Sequence, residues 1–273
     1  MSDAATSPLV VLTRPEGRNE GLAARLRDSG FLALEMPALE IFPLPIDLAQ
    51  CPLPRACDLI IFVSANAARL YLQHLALHSD GRVSWPATTL AATVGEASAR
   101  PLREAGFIPD SCIVHPPRET SQDSEALLRV LQATGRTFRH VLVVCGESGR
   151  TWLGDRLQEQ GAIVRRCPVY GRRAAGWTAN QREGLAVGLR SQRVLVGLFT
   201  SSEGVEAFHR NLLAAALQIF WRRARFVAIH ERVANRLRLF AEVDSEPDFS
   251  SRVKICLPAE DAIFETVRRL ASQ

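Results

Sequence analysis

Short apolar runs, each closed by hydroxyl or glycine residues and followed by a helical pattern, recur along the chain. One run extends from Leu195 to Phe199 and ends at Thr200, Ser201 and Ser202. The apolar positions that follow it have helical spacing, at Val205, Phe208 and Leu212. A second run extends from Leu59 to Val63 and ends at Ser64. Continuous apolar runs of this length are typical of buried parallel strands that lead into helices.

Four more strand candidates, at residues 9–12, 31–36, 90–94 and 141–144, are separated by helical patterns of about a dozen residues. This alternation predicts an α/β fold with parallel sheets and helices on both faces of each sheet. Residues 37–54 differ from their neighbours because proline is frequent there, which predicts a linker or a crossing between structural units.

The two halves of the chain repeat one pattern. The segment Leu22-x-x-Arg25-Leu26-x-x-x-Gly30, followed by Pro37, recurs 131 residues later as Leu153-x-x-Arg156-Leu157-x-x-x-Gly161, followed by Pro168. Three further segments recur in the same order, at offsets of 135 to 137 residues, namely Phe62-Val63-Ser64 as Phe199-Thr200-Ser201, Val94-Gly95-Glu96 as Ile229-His230-Glu231, and Glu125-Ala126-Leu127 as Asp261-Ala262-Ile263. Matches in one order predict two copies of one α/β unit. The repeat alone would divide the chain near Thr137.

Composition favours a globular protein with two domains. Of the 273 residues, 47% are hydrophobic and 23% are charged, which argues against a disordered chain. The longest apolar runs fall well short of the roughly 20 residues that a membrane span needs. The first residues show neither the basic segment nor the apolar core of a secretory signal. We therefore expect a cytoplasmic protein that does not bind membranes.

The net charge is +4, and among the 33 basic residues only Lys254 is a lysine. Arginine makes bidentate contacts with carboxylates, so a small ligand with several carboxylates would suit this chain. A genome that favours arginine codons explains the bias equally well. Basic residues do not form a dense tract with interleaved aromatic residues, so no nucleic-acid partner is expected.

The cysteines are scattered along the chain, without the CxxC or Cys/His spacing of a zinc or redox site. We therefore expect no metal site. We also expect all six thiols to be reduced, with no disulfide. They are Cys51, Cys57, Cys112, Cys145, Cys167 and Cys256.

The carboxyl ends of the predicted strands are the candidate ligand sites. Open α/β sheets bind ligands there, where unpaired N–H groups of a helix's first turn and nearby hydroxyls hold carboxylate or phosphate oxygens. On this rule the candidate substrate-binding residues are Ser64, Asn66, Gly95, Glu96, Ser98, Thr200, Ser201, Ser202, His230 and Glu231. Arg14, which follows the first strand, is a further candidate. A structural role as helix cap or solvated charge is the alternative for each.

Seven segments, taken in order, carry a resemblance to a known family. They are Leu12-Thr13-Arg14-Pro15, Phe62-Val63-Ser64-Ala65-Asn66-Ala67, Thr93-Val94-Gly95-Glu96-Ala97-Ser98-Ala99, Ser124-Glu125-Ala126-Leu127-Leu128, Pro168-Val169-Tyr170, Leu198-Phe199-Thr200-Ser201-Ser202 and Val227-Ala228-Ile229-His230-Glu231-Arg232-Val233-Ala234. With them the chain resembles uroporphyrinogen-III synthase over nearly its whole length. Their order and spacing carry the resemblance, because each segment alone is a short strand-end pattern.

The resemblance implies a cofactor-free lyase of tetrapyrrole synthesis. This enzyme closes hydroxymethylbilane into uroporphyrinogen III, with inversion of ring D and loss of water. A monomer is expected, open to transient contact with hydroxymethylbilane synthase.

The family also implies two flavodoxin-like α/β domains joined by a two-stranded linker, with the active site in the cleft between them. Residues 1–37 and 174–273 would form the first domain, residues 46–168 the second, and residues 38–45 and 169–173 the linker strands. We prefer this crossed arrangement to sequential halves, because Glu40 to Pro45 and Val169 to Arg173 each lie just after a matched proline.

Members of the family place a tyrosine at the position of Tyr170, beside the linker and facing the cleft. The resemblance therefore implies that the phenol of Tyr170 acts as a general acid toward the departing hydroxyl. Packing between the domains is the alternative role. The chain departs from the family pattern at Val63 and Val233, where threonine is usual, and at His230, where glycine is usual.

Two other functions remain open at this point. A non-enzymatic, two-lobed binding module for an anionic small molecule would show the same strand ends. A nucleotide-sugar transferase built from two similar lobes is weakened by the lack of a GxGxxG motif after any strand.

Overall fold

The computed structural model describes residues 7–47, 51–77, 83–241 and 249–272. The chain divides into two compact units. Unit 1 comprises Met1–Ile41 and Arg173–Gln273, and unit 2 comprises Phe42–Arg172. Unit 1 therefore combines the two ends of the chain, while unit 2 is continuous. Neither boundary falls near Thr137, where the repeat alone would have divided the chain.

Strands and helices alternate along most of the chain, as the apolar pattern predicts. The strands are β1 (Leu9–Leu12), β2 (Leu32–Glu35), β3 (Leu39–Pro43), β4 (Leu59–Phe62), β5 (Leu90–Thr93), β6 (Ile113–Val114), β7 (His140–Gly146), β8 (Ile163–Ala174), β9 (Leu195–Phe199), β10 (Ala224–Ala228) and β11 (Val253–Ile255). The helices are α1 (Glu20–Asp28), α2 (Ala65–Leu77), α3 (Glu96–Glu104), α4 (Ser124–Ala133), α5 (Trp152–Glu159), α6 (Ala179–Arg190), α7 (Ser202–Ala214), α8 (Phe220–Arg223), α9 (Glu231–Ala241), α10 (Phe249–Arg252) and α11 (Glu260–Ala271).

Unit 1 is built on a parallel sheet with the strand order β11-β10-β9-β1-β2. Numbered within the unit, this is the 2-1-3-4-5 order of flavodoxin-like folds. All four residues of β1 are buried, because the sheet is covered on both faces. Leu9 and Val11 pack with residues of α6 and α7, while Val10 and Leu12 pack with residues of α1 and α11. The expected α/β class is confirmed.

The second sheet has the order β3-β8-β7-β4-β5-β6, and unit 2 contains β7, β4, β5, β6 and most of β8. The pairs from β8 through β6 are parallel. On one face Leu59 and Ile61 of β4 pack against Leu127 of α4 and Leu157 of α5. On the other face the ring of Phe62 meets that of Tyr71 in α2 edge-on, with centroids 5.6 Å apart.

Glycines end the matched helices of the two repeats. Gly30 follows α1 with φ of 85°, and Gly161 follows α5 with φ of 92°. The N–H of each donates to a carbonyl in the last turn of its helix. A left-handed backbone is accessible to glycine at little cost, so these residues stop the helices where the repeated pattern predicts.

The expectation that all six cysteines are reduced is wrong. Cys51, which precedes β4, and Cys167 in β8 form a disulfide across 116 residues of sequence, with their Cα atoms 5.2 Å apart. Both residues are buried in unit 2. Sequence spacing could not predict this pair, because the fold alone brings these positions together. The free cysteines are Cys57, Cys112, Cys145 and Cys256.

Candidate active site

Each sheet has a switch point, where connections from two neighbouring strands run in opposite directions. In unit 1 it lies between β1 and β9, and in unit 2 between β4 and β7. Open α/β sheets bind ligands outside the carboxyl ends of the strands at such points. Arg14 and Thr200 follow the strands at the first switch point, and Ser64 follows β4 at the second. Each unit therefore presents a candidate site of its own.

Arg14 lies half-buried at the switch point of unit 1. The preceding residue, Thr13, is buried, and its hydroxyl donates to the carbonyl oxygen of Leu198 at 2.5 Å, which ties β1 to β9. The Arg14 guanidinium donates to the carbonyl oxygen of Arg18 at 3.3 Å. Burial lowers the pKa of Arg14, and the nearby Glu260 carboxylate opposes this shift. Because guanidinium remains charged in proteins, Arg14 supplies a partly desolvated cation at this edge.

The hydroxyls after β9 already have partners within the unit. Ser201 caps α7, because its Oγ accepts from the N–H of Gly204 at 3.0 Å. The Ser202 hydroxyl donates to the carbonyl oxygen of Arg232 at 3.3 Å. Thr200 is half-buried between the strand end and this cap. Ser201 and Ser202 thus make the structural contacts that were the alternative to ligand binding.

His230 and Glu231 lie exposed at the start of α9. Nδ1 of His230 accepts from the N–H of Arg232 at 3.0 Å, so this nitrogen carries no proton while it caps the helix. Its other ring nitrogen, Nε2, then carries the proton that a ligand oxygen would meet. The Glu231 carboxylate lies 3.8 Å from Arg238 on the same helix.

In unit 2 the structure brings Ser64 together with Tyr170. Their hydroxyl oxygens are 3.2 Å apart. Ser64 also caps α2, because its Oγ accepts from the N–H of Ala67 at 3.2 Å. Asn66, the next candidate, accepts through Oδ1 from the guanidinium of Arg69. Ser64 and Asn66 are half-buried at this strand end.

A β-bulge directs Tyr170 toward this site. The ladder between β7 and β8 pairs Cys145 with Pro168 but Gly146 with Tyr170, so β8 contains one extra residue here. Such bulges re-aim side chains and are frequent beside functional sites. Tyr170 is only 2% exposed. Its ring packs against Gly146, where an added Cβ would lie 2.9 Å from two ring carbons.

Arg172 covers the same tyrosine. Its guanidinium donates to the phenol oxygen at 3.2 Å, and its Cζ atom lies 5.5 Å from the centre of the ring. Arg172 is exposed. The phenol oxygen of Tyr170 therefore contacts both a cation and the Ser64 hydroxyl.

The strand end of β5 holds Gly95, Glu96 and Ser98, and loop residues cover it. The Gln122 side-chain oxygen accepts from the N–H of Glu96 at 3.1 Å, at the start of α3. A Cβ on Gly95 would lie 2.1 Å from that oxygen, so the exposed Gln122 side chain would have to move aside for any other residue. The N–H of Ser98 donates to the carbonyl oxygen of Gly95 at 3.0 Å. A side-chain amide thus occupies a donor that a ligand oxygen was predicted to use.

Glu96 itself is paired with basic groups. Its carboxylate lies 2.6 Å from Arg103 and 2.9 Å from His115. The Arg103 guanidinium, followed by His115 and Arg118, holds the pKa of Glu96 below its usual value. The carboxylate is therefore ionised near neutral pH and accepts these contacts rather than acting as an acid.

Sequence reasoning missed four residues of these sites: Gly146, Arg172, Gln122 and His115. Arg172 carries a detectable signal, because residues two apart on a strand share a face, and Tyr170 was already a candidate. Gly146 ends an apolar strand, as glycine does after β5. Gln122 and His115 belong to a loop whose path no local pattern specifies.

Among the described residues, no group of three or more His, Cys, Asp or Glu side chains could hold a metal ion. None of the helices within the described ranges is long and apolar enough to cross a membrane.

Comparison with known proteins decides the family. A family model described as uroporphyrinogen-III synthase HemD matches residues 20–247. The chain belongs to the uroporphyrinogen-III synthase family. This confirms the resemblance inferred from the seven strand-end segments, and it does not support the reading as a non-enzymatic binding module.

Individual members of the uroporphyrinogen-III synthase family agree with this assignment. The chain is 31% identical over 226 residues to the uroporphyrinogen-III synthase of Synechococcus elongatus, covering 78% of this chain and 77% of that protein. It is 26% identical over 233 residues to the Escherichia coli enzyme of the same name, covering 84% of this chain and 90% of that protein.

Solved structures of uroporphyrinogen-III synthases share the fold. The Helicobacter pylori protein superimposes with a TM-score of 0.61 at 16% identity, covering 96% of this chain and 99% of that one. A mutant from Thermus thermophilus gives a TM-score of 0.55 at 17% identity, covering 97% of this chain and 99% of the other. At these identities the likeness concerns the fold alone.

Proposed function

We propose that the protein is a lyase that cyclises hydroxymethylbilane to uroporphyrinogen III, inverting ring D and releasing water. The observation that carries this proposal is the family match across residues 20–247. It is supported by the position of candidate hydroxyl and guanidinium groups at both switch points, where α/β sheets bind ligands. The setting would be tetrapyrrole synthesis in the cytoplasm, without a cofactor.

Substrate carboxylates would be held at the carboxyl ends of both sheets. In unit 1, Arg14 supplies a partly desolvated cation and Thr200 a half-buried hydroxyl. In unit 2, Ser64 and Asn66 supply half-buried polar groups. Segments 38–45 and 169–173 are proposed as the two connecting strands. Several weak contacts of this kind would orient a flexible poly-carboxylate without any one of them dominating its affinity.

The chemical task is largely conformational. Loss of the terminal hydroxyl leaves an electron-poor, azafulvene-like end on the substrate, which a substituted carbon of ring D must attack. The resulting spiro intermediate fragments and recloses with ring D reversed. Without the enzyme the chain closes without inversion, so catalysis requires one folded geometry to be enforced. A positioned proton donor would assist the departing hydroxyl.

The assay identifies which uroporphyrinogen isomer is formed from hydroxymethylbilane (preuroporphyrinogen) that is generated in situ. We expect isomer III from the wild-type protein, since the uncatalysed reaction gives isomer I. Isomer I alone, formed at the rate seen without protein, would refute the proposed reaction. Binding of the substrate without any change in product would instead support the two-lobed binding module.

Replacing Tyr170 with phenylalanine tests how the catalytic effect is distributed. The ring remains to pack on Gly146, so the fold should persist, and we expect only a partial loss of kcat. Complete loss of isomer III, with unchanged thermal stability and substrate affinity, would show one dominant acid rather than distributed positioning.

A further inference from the structure

The hydrogen bonds around Ser64 and Tyr170 restrict what this pair can do. The Tyr170 oxygen accepts from Arg172, and the Ser64 oxygen accepts from the N–H of Ala67. The two hydroxyls also bond to each other. This mutual bond uses one of their two protons, so one hydroxyl proton is left over for a ligand oxygen.

The two residues differ in burial, and this difference determines which hydroxyl offers that proton. Tyr170 is only 2% exposed, and Arg172 lies over its ring and donates to its oxygen. Ser64 is half-buried and follows the carboxyl end of β4. A ligand at this edge therefore reaches the Ser64 hydroxyl sooner than the phenol, and Tyr170 can act through Ser64.

We propose that Ser64 is the proton donor to the departing hydroxyl of the substrate, with Tyr170 behind it as the second member of a proton relay and Arg172 as a positioning residue. This inference rests on the proposed cyclisation. Ser64 gives its proton to the leaving oxygen as the C–O bond breaks, and Tyr170 passes its own proton to the Ser64 oxygen. Water departs, and Arg172 balances the phenolate charge. When the chain recloses after fragmentation, the unsubstituted α-carbon of ring D loses its proton, and that proton restores the phenol.

Gly146 and the bulge together fix the position of Tyr170. The bulge places Tyr170 opposite Gly146 instead of one residue out of register. Any side chain at position 146 would meet the ring at 2.9 Å. Rigid support of this kind fixes the phenol relative to Ser64, which a proton relay through two hydroxyls requires.

The hydrogen bonds can be tested without substrate by NMR of the protein labelled with 13C at tyrosine Cζ. The sequence contains two tyrosines, so two signals are expected, and Tyr71→Phe assigns them. Ser64→Ala and Arg172→Gln should each move the Tyr170 signal and leave that of Tyr71 in place. Arg173→Gln is the matched control, because Arg173 is the next residue but bonds to Glu40 at 2.9 Å through two nitrogens. A Tyr170 signal that neither variant moves would refute the arrangement.

Kinetics test the relay itself. Ser64→Ala and Tyr170→Phe should each lower kcat by about a hundredfold, the lower end of what a general acid contributes, with little change in KM. The double variant should lose no more than the worse single variant, because both remove one relay. Ser64→Thr keeps a hydroxyl and should restore most of kcat.

The outcomes separate this proposal from the proposed function. If the wild-type protein forms isomer III but the two losses multiply in the double variant, Ser64 and Tyr170 act independently and the relay is wrong. If Ser64→Thr is as impaired as Ser64→Ala, Ser64 is not the donor. A wild-type protein that yields only isomer I would refute the cyclisation, and the relay with it, whatever the NMR signals show.

Discussion

At the scale of single residues, several polar side chains at the strand ends that are proposed to meet a ligand also hold the fold together. Ser64 and Ser201 cap helices through the same oxygens that were predicted to meet carboxylates. His230 caps α9 through Nδ1. A capping side chain is fixed in position before a ligand arrives, which lowers the entropy lost on binding. Substituting these residues is therefore expected to affect stability as well as the function of the site.

Asp58 offers a pH-dependent test at this scale. Its carboxylate accepts from the N–H groups of His140 and Arg139, both at 2.8 Å, where β4 and β7 begin. These bonds hold the pKa of Asp58 below its usual value, and the bond from His140 has the larger effect. A lowered pKa stabilises the fold at pH above about 4, the unfolded value, and this contribution is lost as pH falls through the lower native value.

We predict that Asp58→Ala lowers Tm at pH 7 and that the deficit shrinks as the pH approaches about 3. The wild-type protein then loses the same two charge-assisted bonds by protonation. Thermal unfolding followed by circular dichroism at several pH values measures this. A deficit that stays constant or grows on acidification would show that the carboxylate charge is not responsible.

At the scale of elements, close packing of helices on sheets depends on a few glycines. Gly188 in α6 lies against β1, where an added Cβ would be 2.3 Å from Leu9 Cδ2. Leu9 is buried in the core of unit 1, so it has little room to move. Gly154 in α5 differs, because a Cβ added there would lie 3.5 Å from Val164 Cγ1, which is an ordinary van der Waals distance.

Alanine at these two helical positions should have opposite effects. Gly188→Ala is expected to destabilise the protein by about 1 to 3 kcal/mol through overpacking. Gly154→Ala should stabilise it by about 0.5 to 1 kcal/mol, because alanine loses less backbone freedom in a helix. Urea unfolding of both variants checks the signs. Equal effects would mean that helix propensity, and not the contact with Leu9, controls position 188.

At the scale of the whole molecule, the Cys51–Cys167 disulfide joins the start of unit 2 to its last strand. It closes a loop of 116 residues. A crosslink that closes a loop of this length reduces the conformational entropy of the unfolded chain. On the chain-entropy relation, this raises the free energy of unfolding by about 4 to 5 kcal/mol. In the native state it holds Cys51 against β8.

We predict four free thiols when the oxidised protein is denatured without reductant, and two more after reduction. The double variant Cys51→Ala/Cys167→Ala should unfold at a lower temperature than the wild-type protein, and reductant should no longer change its Tm. Cys57→Ala is the matched control, because that cysteine is buried but free. Six reactive thiols without reductant would disprove the pairing.

The local pattern of the sequence determined which segments became strands and helices. Apolar runs such as β1, β4 and β9 are buried throughout, and glycines end α1 and α5 where the repeat places them. These features depend on side-chain hydrophobicity and backbone freedom, which are properties of a few consecutive residues. The order of the strand-end segments also identified the family.

Only the tertiary structure decided which of these segments meet. The sheet orders create the two switch points, a bulge turns Tyr170 toward Ser64, and Gln122 reaches the start of α3 from a distant loop. The disulfide likewise joins positions that no spacing rule connects. Contacts between residues far apart in sequence depend on how whole elements pack. A local sequence pattern does not specify that packing.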